Sequence, residues 1–141
     1  MKEKEKNCPY CMEGDMVAKF AYPICTLDTC KVYVFKEQSK PGRCVCAYKE
    51  HVSEFVDLTD EERSAFFADV AKVAKAIHKA YHPDKLNYGA YGDTGGHLHF
   101  HLCPKYKGGD EWGGTFTMNS GKVMLTDAEY EVIAEKIRQN L

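Results

Sequence analysis

The stretch from Gly95 to Pro104 reads Gly-Gly-His-Leu-His-Phe-His-Leu-Cys-Pro, and it leaves the chain little choice of local structure. Apolar and polar residues alternate strictly, which is the period of a strand with one buried face. At a rise of ~3.3 Å per residue, Leu98, Phe100 and Leu102 turn to one side and His97, His99 and His101 to the other. Neighbouring imidazoles then stand about 6.6 Å apart. One histidine on a strand is unremarkable; three in register, opposite three large apolar residues, point to chemistry. The spacing predicts a strand over 97–103, ended by Pro104.

Two helices carry their own start signals. Thr59-Asp60-Glu61-Glu62 is a capping box, and Phe66, Val70, Val73, Ile77 and Tyr81 follow on one stripe until Pro83 stops it. Thr126-Asp127-Ala128-Glu129 is a second box, with Leu125 set to staple against Tyr130. Tyr130, Ile133, Ile137 and Leu141 form its buried face. His78 and His82, near the end of the first helix, read as surface residues favoured by the helix dipole. Residues 31–36 and 43–49 are β-rich runs around the turn Ser39-Lys40-Pro41-Gly42, and weaker strand signals lie at 17–20, 24–27, 115–118 and 122–125. Trp112 reads as a packing residue. The whole predicts an α+β fold, an antiparallel sheet of about five strands with two helices. No repeat or linker divides the 141 residues, so one domain is expected over 1–141, with the mixed-charge residues 1–6 as a disordered tail.

Composition narrows the partners. Lys and Arg number 19 against 21 Asp and Glu, a balance that predicts no nucleic-acid binding. No apolar run approaches the ~18 residues of a spanning helix, so no membrane partner is expected. Seven cysteines are an odd number, and no apolar segment follows the charged start. A cytoplasmic protein with reduced thiols is expected. Cys8-Pro9-Tyr10-Cys11 is half of a zinc site; Cys25, Cys30 or the Cys44 and Cys46 pair could close it. The histidine face itself has two readings, a metal site or an imidazole nucleophile at phosphorus. The small, polar run through Asn87, Gly89, Gly92, Thr94, Gly95 and Gly96 favours the second. Such a loop brings backbone N–H groups and the Thr94 hydroxyl to phosphate oxygens. It lacks the Gly-Lys-Ser/Thr ending of a Walker loop.

His97-Leu98-His99-Phe100-His101-Leu102-Cys103 resembles the signature of the histidine triad (HIT) family, with Cys103 in its last apolar place. The run from Pro41 to His51 resembles that family's Pro-Gly-His strand ending in a basic-x-His, and Asn87-Tyr88-Gly89 its Asn-x-Gly loop. The order of segments matches over about residues 8–112. The resemblance implies a HIT-like α+β meander, a homodimer, and a nucleotide hydrolase or nucleotidyltransferase. The implied substrate is a nucleoside 5′-phosphate conjugate or a dinucleoside polyphosphate such as diadenosine tetraphosphate, cleaved at the α-phosphate. His99 would be the nucleophile, forming a nucleotidyl-histidine, with His97 and His101 completing the catalytic set. Asn87, Thr94 and Asp93 would meet the substrate, Asp93 standing where relatives usually carry Gln or Asn.

The resemblance also implies zinc held by Cys8, Cys11, His51 and His97, in which case His97 anchors the strand instead of moving protons. Cys25, Cys30, Cys44, Cys46 and Cys103 then read as core or half-buried thiols. Arg43 replaces the His that follows Pro-Gly in the family. The residue that holds the ribose has no clear counterpart, Glu37 serving only with a register shift. Asp93 and that gap support an alternative from another class, a zinc-stabilised nucleotide-binding module with little or no turnover.

Overall fold

Five strands form one antiparallel sheet in the order β1-β2-β3-β5-β4, in a computed structural model that describes residues 3–141. They are β1 (Ala21–Thr26), β2 (Cys30–Phe35), β3 (Cys44–Tyr48), β4 (Lys85–Gly89) and β5 (His99–Lys105). The β2–β3 hairpin runs from Cys30 opposite Tyr48 to Val34 opposite Cys44. Its turn requires glycine at position 42: φ is 92°, and a Cβ there would lie 2.7 Å from the Tyr81 ring. β5 sits between β3 and β4, so the histidine strand is interior to the sheet.

The helices are α1 (Pro9–Met12), α2 (Gly14–Ala18), α3 (Asp60–Tyr81) and α4 (Asp127–Arg138). Both capping boxes form. Thr59 Oγ1 accepts the Glu62 N–H at 3.1 Å while the Glu62 carboxylate accepts the Thr59 N–H at 2.8 Å. Thr126 and Glu129 repeat the exchange. His82 ends α3 in the left-handed region, just before Pro83, and like His78 it is exposed. At the second helix the Tyr130 hydroxyl accepts the Leu125 N–H and donates to the Lys36 carbonyl, so polar bonds join the apolar staple.

α3 and α4 cover one face of the sheet. Val32, Val34, Cys46 and Leu102 meet Phe66, Val70, Val73 and Ile77 of α3, and Tyr130 and Ile137 of α4. Enclosing each such large side chain stabilises by roughly 1.5–3 kcal/mol. On the other face a smaller cluster joins Val17, Ala21, Tyr33, Phe35, Val45 and Ala47.

Several expectations change. Residues 17–20 are not a strand; Val17 and Phe20 are three apart and reach the same cluster, a helical spacing that suits the end of α2. Residues 115–118 and 122–125 join no strand ladder. Their backbone groups bond elsewhere: the Thr117 carbonyl to Arg43, and the Val123 N–H to Glu37. Asn87–Gly89, expected in a loop, belong to β4 and pair with β5. β5 starts at His99, not His97, and runs through Pro104. Its pairing with β3 stops at Leu102, so Pro104 lies where the strand has one neighbour and no second ladder bond to lose. Four helices replace the expected two, because the short α1 and α2 fold the N-terminal segment over the sheet. Trp112 is 42% exposed, not packed. Of the expected tail, Glu3–Lys6 are exposed, and residues 1 and 2 lie outside the described residues. Among the described residues no helix is long and apolar enough to cross a membrane.

Candidate functional site

β3 and β5 pair with Val45 opposite His101 and Ala47 opposite His99, so both imidazoles rise from the face away from α3. Beside them lies a cavity of about 520 Å³, within the range of small-molecule sites. Its apolar wall comes from Tyr10, Phe20, Phe35 and Tyr91, with Met118 and Asn119 from the C-terminal segment. Its polar wall is the loop over 92–95, which brings Asp93 and Thr94 to the rim. Gly92 turns that loop at φ 100°, and its carbonyl accepts the Gly96 N–H. Asn87 shares the histidine face, opposite Cys103 in β4, but is not part of the cavity lining.

Hydrogen bonds assign a tautomer to each triad ring. His99 Nδ1 lies 2.7 Å from the His97 carbonyl oxygen. A carbonyl only accepts, so Nδ1 carries the proton and Nε2 keeps its lone pair. His97 Nε2 donates in the same way to the Tyr48 carbonyl at 2.7 Å, which leaves its Nδ1 as the acceptor. His101 Nδ1 faces Arg43 Nη2 at 3.1 Å. Burial holds all three rings toward the neutral form, His97 down to about 4. Burial, with the Arg43 charge added, takes His101 down to about 3.

The free Nδ1 of His97 belongs to a four-residue cluster. Cys8 Sγ is 3.3 Å away, Cys11 Sγ 3.5 Å and His51 Nδ1 3.2 Å. The four ligand atoms all lie within 4.8 Å of one another, a set that could hold a metal ion. Local structure explains the convergence. Cys8 caps α1 and Cys11 lies one turn on, so their thiols share a side. His51 leaves the end of β3 and His97 precedes β5. The other cysteines that could have closed the site lie elsewhere. Cys30, Cys44 and Cys46 are buried in the helix-side core, Cys25 is half-buried against it, and burial pushes the Cys44 thiol up. Cys103 is buried as well.

Arg43 and Glu37 occupy places the residue pattern alone did not specify. The Arg43 guanidinium stacks between the Phe35 and Phe116 rings, 4.2 and 4.9 Å from their centroids. The Glu37 carboxylate accepts from the Ser39 and Val123 N–H groups, and it lines a neighbouring cavity, not the histidine one. The register shift that would bring it to the triad is not adopted. Of the cavity residues not anticipated, Phe35 was within reach of strand alternation with Tyr33. Met118 and Asn119 carry no local signal.

The HIT domain family model matches residues 24–108, which include β2 to β5, α3 and the three triad histidines. The chain is 28% identical over 115 residues to "Protein hit" of Bacillus subtilis (strain 168), covering 77% of each. In fold it is similar to a histidine triad protein from Sinorhizobium meliloti 1021, with a TM-score of 0.82 at 22% identity over 91% of this chain and 95% of that one. It is also similar to a zinc-bound histidine triad family protein from Mycobacterium smegmatis, with a TM-score of 0.63 at 18% identity over 84% and 85%. The family match, the alternating histidine strand and the antiparallel sheet that carries it agree: this chain belongs to the HIT family.

Proposed function

We propose that the chain is a nucleotide hydrolase or nucleotidyltransferase that works through a covalent intermediate on His99. The substrate class is a nucleoside 5′-phosphate conjugate or a dinucleoside polyphosphate such as diadenosine tetraphosphate. The observation that carries this reading is the bond from His99 Nδ1–H to the His97 carbonyl, because it leaves Nε2 as a neutral nucleophile. Nε2 forms a bond to the α-phosphorus as the bond from phosphorus to the leaving group breaks. A phosphate leaves as an anion; an amine leaves carrying the P–N electron pair and a proton taken from solvent. Water then attacks the same phosphorus, the P–N bond breaks, its electrons return to Nε2, and the water's proton goes to solvent. An acceptor in place of water makes the reaction a transfer. The backbone of 92–95, the Thr94 hydroxyl and His101 would face the phosphoryl oxygens as charge develops there. Asn87 and Asp93 complete the expected substrate contacts, and of the two only Asp93 lines the cavity.

In this reading Cys8, Cys11, His51 and His97 hold zinc. A regular tetrahedron with Zn–N near 2.0–2.1 Å and Zn–S near 2.3 Å sets N and N about 3.3 Å apart, and N and S about 3.6 Å apart. The cluster has 3.2 Å between nitrogens, and 3.3 Å for Cys8–His97, 3.3 Å for Cys11–His51 and 3.5 Å for Cys11–His97. Four protein ligands leave no open position, so the ion's role is structural. His97, ligating through Nδ1 and tied to Tyr48 through Nε2, is then an anchor for the strand and not an acid. The zinc-bound relative from M. smegmatis supports the choice of metal. The expected assembly is a homodimer, checked by sedimentation equilibrium.

Incubation with diadenosine tetraphosphate and with an AMP–amine conjugate tests the reaction. AMP release by the wild type, lost in His99→Asn, is the expected result. Nucleotide binding without turnover would overturn it in favour of the second reading, a zinc-stabilised binding module. That reading draws on Asp93, an acidic residue among those lining the cavity where phosphates would lie. Metal analysis checks the zinc assignment, which falls if Cys8→Ser retains a full equivalent.

A further inference from the structure

Arg43 departs from the family's Pro-Gly-His pattern, and its surroundings are unusual for a packing residue. The residue is 1% exposed, and its buried Nε has no partner among the described residues. Nη1 donates to the Thr117 carbonyl at 3.1 Å; Nη2 faces His101 Nδ1 at 3.1 Å and Met118 Sδ at 3.6 Å. Glu37 and Glu111 compensate its charge through space. A buried cation with an orphaned donor is a costly way to fill a core, and here it ends on a triad ring.

We propose that Arg43 is a positioning residue for the chemistry: its guanidinium fixes His101 as the Nε2–H tautomer and so supplies a permanent N–H donor beside His99. The catalytic consequence rests on the nucleotidyl-transfer reading; the tautomer does not. A guanidinium has five donors and no acceptor, and it does not deprotonate in proteins. Its approach to Nδ1 is favourable only if Nδ1 offers a lone pair. The single proton of the neutral ring is then on Nε2, at the opposite edge. A second proton on His101 would set N–H against N–H and place two cations 3.1 Å apart.

The ionisable groups that face His101 are Arg43, the residue just before β3, His99 from β5 and Tyr91 from the loop before β5; Phe35 and Phe116 complete the enclosure. No carboxylate stands among these contacts to favour an imidazolium. His101 therefore donates to a phosphoryl or leaving-group oxygen and does not serve as a base. A histidine at position 43 could present either tautomer and leave that choice open; arginine closes it. Through Thr117 and Met118 the same guanidinium also ties the C-terminal wall of the cavity to the histidine strand.

Long-range proton–nitrogen NMR of the full chain reads the tautomer directly, with the His101 signals identified by their loss in His101→Gln. The wild type should show a protonated Nε2 and a bare Nδ1 on His101, unchanged down to about pH 5, well below an ordinary imidazole pKa. Arg43→Met should give mixed tautomers, and Arg43→Lys should restore part of the wild-type pattern. In AMP release from diadenosine tetraphosphate, Arg43→Met should lower kcat about 10- to 100-fold with little change in KM. A protonated Nδ1 in the wild type, an unchanged His101 spectrum in Arg43→Met, or an unchanged kcat in that variant would each overturn the proposal. If Arg43→Met does not fold, the wild-type spectrum and Arg43→Lys decide. If the tautomer is as stated but even the wild type releases no AMP, the positioning stands and the nucleotidyl-transfer reading fails.

Discussion

On the helix side of β5, Phe100 and Leu102 sink into a core closed by a helix of 22 residues and another of 12. On the opposite side, His99 and His101 meet a cover made of a helix of four residues, the Phe20 side chain, a glycine loop and a C-terminal segment that joins no ladder. The first face is held by area: Phe66, Val73 and Ile77 are fully buried against apolar neighbours. The second is held by named bonds, His97 by Tyr48 and the cysteine cluster, His101 by Arg43. Burial alone tolerates exchanges of similar volume. A polar face does not, because each partner removed leaves another group buried and unsatisfied.

Mutations can separate the two faces. His99→Asn should reduce AMP release on the order of a thousandfold or more, as loss of a nucleophile does, while urea unfolding shows little change. Phe66→Ala, on the other face, should cost about 3–5 kcal/mol in the same unfolding measurement; turnover per folded molecule should survive. If zinc occupies the Cys8–Cys11–His51–His97 set as proposed, a chelator should lower wild-type stability by about 2.7 kcal/mol, taking the free ion at 100 times its dissociation constant. The same chelator should leave Cys8→Ser unaffected.

The pH dependence is also one-sided. His101 is held near 3 against an ordinary 6.5, so below about 6.5 the unfolded chain takes up a proton that the folded chain refuses. Stability is therefore full above 6.5 and falls as the pH drops toward 3. Denaturant midpoints at neutral and mildly acid pH should converge in part in His101→Gln. The smallest effect is expected at Thr126→Ala, which removes a helix cap on the apolar side, costs about 1 kcal/mol and leaves the cavity untouched.

What was legible beforehand was local. The alternation around His99 needs only the strand period, and the boxes at Thr59 and Thr126 need only contacts three residues apart. The Cys-x2-Cys half-site was visible for the same reason, since one helical turn brings Cys8 and Cys11 together. The resemblance supplied His51 and His97 for its other half, and the structure brings them there. The short α1 and α2 were missed because helices of four and five residues have too few turns to show a period. β4 was missed because its five residues take their strand character from pairing with β5, not from their own composition.

By itself the sequence determined the strand that carries the imidazoles, which residues share its two faces, and where both long helices begin, because these follow from backbone periodicity and bonds within four residues. Only the tertiary structure decided which nitrogen of each imidazole holds the proton. That choice is made by the His97 carbonyl, the Tyr48 carbonyl and the Arg43 guanidinium. Two of these three groups are separated from the rings they hold by more than forty residues of chain, and only the packing of β3 against β5 brings them within hydrogen-bonding distance.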